Sequence, residues 1–311
     1  MNSELDVPGI ENANIITRDR HTISRKDISP NALKVLYRLL KGGYQAYIVG
    51  GGVRDLLLGK RPKDFDIATN AEPAEIKILF NNARVIGRRF RIVHIKFGRE
   101  IIEVTTFRAD HHPISKIKGN LAYKEDRERD SVHSEEGLIL RDNVYGNIDE
   151  DATRRDFTVN ALYYTTDGFR LLDFNDGLQD LKSKQIRIIG EPKERYKEDP
   201  VRMLRAIRFS AKLGFSIEEN TKKPIDELAY LLDSISSARL FDETIKLMTG
   251  GHAVKTFAML QEFQLGTFLF SPTLEALSEA DNSSTKLVEL ALEKTDQRSV
   301  SYTHLTLPTK A

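Results

Sequence analysis

Residues 50–69 read GGGVRDLLLGKRPKDFDIAT, and their interpretation decides the rest of the chain. The preceding QAYIVG has the apolar run of a short strand. Gly50, Gly51 and Gly52 then make a tight turn, and VRDLLL continues as a helix closed by Gly59. KDFDIAT reads as the next strand. Strands avoid Asp, yet this one carries Asp64 and Asp66, two positions apart and so on one face, with Phe65 and Ile67 turned toward the core. Two like charges side by side repel unless something holds them. Mg²⁺ would do so, since it takes one or two carboxylates and fills its shell with water and phosphate oxygens. Alone, the pair also fits two solvated aspartates on an edge strand, or a Lys63–Asp64 surface pair. The glycine turn shifts the weight. Its glycines permit close backbone approach, helix N-terminal amides favour phosphate, and Arg54 adds a fixed cation. The stretch matches neither a Walker loop nor a dinucleotide fingerprint. Together the turn and the two carboxylates describe a place for a triphosphate and its metals.

Working outward, SPNALKVLYRLLKGG (29–43) predicts a helix with Ser29 as N-cap, Pro30 at its first position and a stripe of Leu33, Leu36, Leu39 and Leu40, ending at Gly42. EPAEIKILFNNA predicts a helix with Pro73 at its start. FRIVHIKFG and EIIEVTTFR predict a hairpin turning at Gly98–Arg99. Residues 109–140 are polar, charged and aperiodic, the pattern of a mobile loop. DEDATRRDFTVNALYY reads as helical, LYYTTDGFRLLDF as a hairpin around Asp167–Gly168, and QIRIIG as the last strand. From EDPVRMLRAIRFSAKLGF (198–215) onward the periodicity is helical. The expected architecture is α+β: a flexible arm over 1–28, a head of strands and helices over 29–190 and an all-helical part over 191–298. The last residues, SVSYTHLTLPTKA (299–311), break the helical pattern. They are expected to be foreign to a helical region that stops short.

Composition narrows the function classes. The chain has 311 residues, 40% hydrophobic and 30% charged, which suits a globular protein of more than one domain. The apolar runs are too short to span a bilayer and the N-terminus has no apolar signal core. There is no cysteine, so disulfides, Cys–zinc sites and thiol catalysis are excluded. A cytoplasmic enzyme fits. Net charge is +1, so any nucleic-acid site is a local patch.

Four motifs in order, GGGVRDLLLG, DFDIAT, RRDFTVNAL (154–162) and EDPVRMLRAIRFSAKLGF, resemble the class II nucleotidyltransferase superfamily, and in it the tRNA CCA-adding enzymes and bacterial poly(A) polymerases. The likeness runs from about residue 29 to 270. It implies a mixed-sheet nucleotidyltransferase head followed by helical neck and body. It also implies that Asp64 and Asp66 bind two Mg²⁺ ions, with Glu103 as a third acidic group, and that Asp156 counts with the catalytic acids. Gly50, Gly51, Arg54, Arg155 and Asn160 would line the nucleotide site. Glu198, Asp199, Arg202 and Arg205 would read the base edge. Arg202, Arg205 and Arg208 fall at i, i+3 and i+6, a basic stripe that also fits a salt-bridged surface helix.

The segment RVIGRRFRIVHIKFG (84–98) and ARLFDETIKL (238–247) resemble the poly(A)-adding members. Arg88, Arg89 and Arg91 would then contact RNA phosphates, or form a plain surface cluster. The expected reaction joins AMP from ATP to the 3′ ends of mRNA and other RNA. CCA addition to tRNA is the alternative, and an inactive RNA- or nucleotide-binding relative the second. The intact carboxylates count against the inactive form. Such polymerases usually run well past residue 311 into a basic segment that this chain lacks. A metal-dependent phosphohydrolase would need histidine clusters. His111–His112 lies in the charged loop, and His94 reads as a strand residue with a local partner.

Overall fold

The structure, a computed structural model, describes residues 9–87, 91–109, 131–133, 139–142, 144–279 and 282–301. The chain divides into two units, Met1–Ser183 with Arg187–Gly190, and Lys184–Ile186 with Glu191–Ala311.

The first unit is built on an eight-stranded mixed sheet. Its strands are β1 (Asn14–Ile16), β2 (Ala46–Val49), β3 (Asp66–Thr69), β4 (Ala83–Ile86), β5 (Ile92–Phe97), β6 (Glu100–Thr106), β9 (Leu162–Tyr164) and β10 (Leu171–Asp173). Their order across the sheet is β1-β10-β9-β2-β3-β6-β5-β4. Every neighbouring pair is antiparallel except β3 and β6, which run parallel. The central position of β2 follows from its sequence: all four residues of AYIV are buried, the mark of a strand covered on both faces. On one face Tyr47, Val49, Ala68, Phe107, Ile148, Ala152, Tyr163 and Leu172 form a core cluster.

Helix α1 (Pro30–Lys41) buries Ala32, Val35, Leu36 and Leu39, so the expected stripe is rotated slightly, with Leu33 and Leu40 at its edges. The Ser29 hydroxyl accepts from the amides of Asn31 and Ala32 at 3.1 and 3.4 Å and donates to the Glu100 carboxylate. We expect Ser29→Ala to cost about 1 kcal/mol, the usual value of a lost N-cap, read as a lower denaturation midpoint at unchanged m-value. Helices α2 (Gly51–Leu57), α3 (Pro73–Leu79), α4 (Ile148–Thr153) and α5 (Gly177–Ser183) complete the unit.

Three expectations change here. The arm over 1–28 is not loose where it is described: β1 pairs with β10, Asn14 opposite Asp173, and Ile10, Ile16, Ile23 and Ile28 are buried. A three-residue edge strand is too short to show a period and is set by a partner far along the chain. The loop over 109–140 lies mostly outside the described residues, but β7 (Ser131–His133) and β8 (Ile139–Asp142) pair antiparallel. The predicted helix through RRDFTVN also breaks. α4 stops at Thr153, and Thr158–Asn160 form a single 3-10 turn before β9.

In the second unit the predicted strand QIRIIG shrinks to β11 (Gln185–Ile186), which pairs in parallel with β12 (Ser216–Ile217). The remainder is helical: α6 (Pro192–Glu198), α7 (Val201–Leu213), α8 (Glu219–Lys222), α9 (Pro224–Leu228), α10 (Ser237–Met248), α11 (Ala253–Glu262), α12 (Thr267–Glu279) and α13 (Asn282–Ser301). α12 kinks at Phe270, two residues before its internal Pro272. α7 ends on Gly214 in the left-handed conformation, φ 71°. Tyr196, Met203, Leu204, Ile207, Leu232, Leu247 and Leu260 are buried in this unit. Of the tail expected to be foreign, residues 299–301 close α13 and 302–311 lie outside the described residues. Among the described residues no helix is long and apolar enough to cross a membrane.

Candidate active site

β2 runs straight into the glycine turn. Gly50 sits at φ 68°, ψ −138° and opens α2, a backbone region that side-chain-bearing residues avoid. A Cβ on Gly50 would lie 3.8 Å from Arg155 Nη1 and 3.9 Å from Asp66 Oδ2. The bare Cα therefore faces the gap between a guanidinium and a carboxylate. A Cβ on Gly52 would lie 3.5 Å from the Asp64 carbonyl oxygen, so α2 packs closely on the chain entering β3.

β3 begins at Asp66, later than the sequence suggests, and Asp64 precedes it. The alternation survives: Asp64 and Asp66 are exposed while Phe65 and Ile67 are buried. The sheet then sets Asp66 beside Val49 on β2 and beside Glu103 on β6. Although Asp66 keeps exposed surface, its carboxyl is pushed up to about 6. Desolvation by the surrounding protein is the largest cause, followed by the charge of Glu103. Asp64 pushes the same way, and Arg155 opposes. Three carboxylates are thus gathered within electrostatic reach with too little positive charge to offset them.

Among the described residues no three His, Asp or Glu side chains close into a metal cage. Glu103 Oε1 is 3.3 Å from His94 Nε2, its register partner on β5, which supplies the local partner expected for His94. The donor set nevertheless fits Mg²⁺, which needs one or two protein carboxylates when water and phosphate oxygens complete the shell.

Arg155 is held from behind. Its Nε and Nη2 donate to Asp151 Oδ2 at 3.2 and 2.9 Å, and Nε also donates to the Tyr163 hydroxyl at 2.7 Å. That hydroxyl donates in turn to Asp151 Oδ2 at 2.7 Å. Burial alone would weaken the guanidinium's charge; Tyr163 and Asp151 outweigh it and raise the pKa. Asp151 and Tyr163 are buried and were missed at the sequence level. Their one sequence signal is the i,i+4 spacing of Asp151 and Arg155.

Arg54, Asn160 and Asp156 form a second cluster below the turn. Arg54 is 2% exposed. Its Nη1 donates to Asn160 Oδ1 at 2.5 Å, while Nε and Nη2 donate to Asp55 Oδ1 at 2.9 and 2.7 Å. Asn160 Nδ2 donates to Asp156 Oδ1 at 3.3 Å, an oxygen that also accepts the Phe157 amide at 2.8 Å. The cation expected beside the glycine turn is thus buried, and its guanidinium fixes Asn160. Gly51 lies over it, its absent Cβ 3.3 Å from Arg54 Nη2. Of the basic cluster expected at 88–91, Arg88 and Arg89 lie outside the described residues, and Arg91 is exposed.

The base-reading candidates belong to the helical unit. Glu198 Oε2 accepts from Arg195 Nη1 and Arg202 Nη1 at 2.7 and 2.8 Å. Arg202 is buried and donates as well to the Arg195 carbonyl at 2.8 Å. Asp199 Oδ2 accepts from Arg239 Nη2 at 2.8 Å. Arg205 and Arg208 flank the Phe209 ring at 5.2 and 4.9 Å. No open basic stripe results, because Arg202 turns inward and the other two stack on an aromatic face.

The family described as "Poly A polymerase head domain" matches residues 46–187, and that described as "Probable RNA and SrmB- binding site of polymerase A" matches residues 214–277. Poly(A) polymerase I of Escherichia coli is 50% identical over 91% of this chain and 59% of its own length. The CCA-adding enzyme of Lactobacillus helveticus is 38% identical over 77% of this chain and 55% of its own. Among solved structures, the Bacillus stearothermophilus CCA-adding enzyme in complex with CTP superposes with a TM-score of 0.63 at 33% identity, covering 78% of this chain and 54% of that one. The chain spans about three fifths of the length of the poly(A) polymerase relatives it matches.

Proposed function

We propose, from the premise that this chain belongs to the tRNA nucleotidyltransferase/poly(A) polymerase family, that it transfers AMP from ATP to RNA 3′ ends. The bond from the RNA 3′-oxygen to the α-phosphorus forms, the bond from that phosphorus to the β-phosphate oxygen breaks, and pyrophosphate leaves. The observation that carries this reading is Asp66, flanked by Asp64 and Glu103 and facing Arg155 across the bare Cα of Gly50. Asp64 and Asp66, with Glu103 beside them, would hold Mg²⁺, which would supply activation of the 3′-hydroxyl and charge for the triphosphate and its leaving group. Arg155 offsets charge on the phosphates, and Gly50 keeps their place open. Asn160, fixed by Arg54, presents a rigid polar floor. No protein group forms a covalent intermediate; positioning and electrostatics carry the rate.

ATP is favoured over CTP because the 50%-identical relatives are poly(A) polymerases, whereas the CCA-adding ones reach 38–41%. Glu198, Asp199, Arg202 and Arg205 are assigned to base reading. Glu198 is held by Arg195 and Arg202, Asp199 by Arg239 and Arg202 by the Arg195 carbonyl, which suits a fixed pattern of donors and acceptors. The setting is the cytoplasm, where ATP and RNA 3′ ends meet.

Single-nucleotide extension tests the reading. Protein and Mg²⁺ are incubated with an unstructured RNA ending in A, or with a tRNA lacking CCA, and with ATP or CTP separately. ATP-only extension of the unstructured RNA, absent from the Asp64→Ala/Asp66→Ala protein, is the expected result. CTP incorporation on the tRNA would move the assignment to CCA addition.

A further inference from the structure

Asp151 and Tyr163 are buried, ionisable and unused by the chemistry above. We propose that they are positioning residues for Arg155, forming a clamp that aims the guanidinium at the phosphate side of the cleft; the inference rests on the proposed transfer reaction. The geometry is specific. Asp151 Oδ2 accepts from Arg155 Nε, Arg155 Nη2 and the Tyr163 hydroxyl, while Oδ1 accepts the Arg108 amide at 3.2 Å. One carboxylate thus joins the end of β6, the α4 segment and β9. The Tyr163 hydroxyl closes the ring by accepting from Arg155 Nε, and the Arg155 guanidinium carbon lies 5.0 Å from the Tyr163 ring centre. The Nε–Nη2 edge of the planar guanidinium is thereby fixed, and Nη1 lies on the side of Gly50 and Asp66.

A buried carboxylate this well satisfied is costly to assemble unless its partners gain from being fixed. Here the partner is a side chain whose orientation matters for transfer. A lysine cannot replace it, having neither the plane nor the fork that Asp151 and Tyr163 engage. Tyr163→Phe is the informative change. It keeps the buried ring, the stacking and the volume, and removes only the hydroxyl that joins Asp151 to Arg155.

Two readouts test the clamp on the full chain: steady-state AMP transfer to an RNA ending in A, and the Arg155 Nε–H signal in a ¹H–¹⁵N spectrum, assigned with Arg155→Lys. For Tyr163→Phe we expect kcat to fall about 10–100-fold, as small misplacements of a phosphate-facing group do, with KM for ATP changed less than about 3-fold. The Nε–H signal should shift and lose protection from exchange. Asp151→Asn, which keeps the shape and removes the charge, should do the same. A full kcat in a Tyr163→Phe protein that melts like the parent would overturn the clamp, as would a lowered kcat with the Nε–H signal unmoved. If the parent protein transfers no AMP, the reaction assignment fails while the Nε–H readout still decides the clamp.

Discussion

Asp66→Asn is expected to abolish the proposed AMP transfer and yet to yield a more stable protein. The loss should reach about 10³-fold or more, because the variant removes the carboxylate proposed to hold Mg²⁺ and its charge where transition-state charge would develop. The gain in stability follows from the raised pKa. In the folded protein the carboxyl titrates at about 6, against an ordinary 3.8. Between those values the native state holds a proton that the unfolded chain has released. Stability is therefore greatest below the lower value and declines as pH rises through the window to about 6. Above it, the native protein carries a charge that its surroundings disfavour. Asn keeps the shape without the charge. Since Asp66 is exposed, screening limits the effect to on the order of 1 kcal/mol, a rise in Tm of about 2–4 °C. Thermal melts in the absence of divalent ions, taken from about pH 4 to about pH 8, read it directly. An identical pH slope in parent and variant would refute the raised pKa.

Gly50→Ala should damage both folding and transfer, and for a reason separable from crowding. The methyl would find room, with its nearest neighbours at 3.8 and 3.9 Å. The obstacle is φ 68° with ψ −138°, a conformation costing a side-chain-bearing residue about 1–3 kcal/mol. Relief requires the turn to move, and with it the spacing between β2, Asp66 and Arg155. Displacement of that order lowers transfer about 100-fold. Gly59, at the other end of α2, is the control. It too sits at φ 68° and has nothing within 4 Å of an added Cβ. Gly59→Ala should lose about 1 kcal/mol of stability and keep its transfer rate. Equal losses of rate in the two variants would show that Gly50 acts only through stability.

Local signals carried much of this molecule. Ser29 and Pro30 start α1 where a cap and an N-terminal proline should, and Gly98 turns the β5–β6 hairpin. The Asp64–Phe65–Asp66–Ile67 alternation told which side chains face outward, although β3 itself begins only at Asp66. What could not be read locally depended on partners distant in sequence. β1 is a strand because Leu171–Asp173 lies beside it. Arg54 read as a fixed cation beside a phosphate loop, but the partner that buries it, Asn160, lies more than a hundred residues later. Arg202 seemed to belong to a surface stripe, and Glu198 and the Arg195 carbonyl draw it into the interior. Charged side chains carry no sequence mark of burial, since their burial depends on a partner being present. Asp151 and Tyr163 stayed hidden for the same reason.

The sheet order also governs what happens while the chain is being made. β2 lies between β3, its near neighbour in sequence, and β9, which is synthesised long afterward. Until Leu162–Tyr164 emerges, AYIV presents an unpaired apolar edge, the kind of surface on which nascent chains aggregate. The carboxylates of β3 and β6 are in place earlier, but the arginine that faces them arrives with the segment that caps this edge. A ribosome stalled before β9 thus holds an anionic half-pocket and a sticky strand together, so shielding of that interval by a chaperone would protect solubility and the later assembly of the pocket alike.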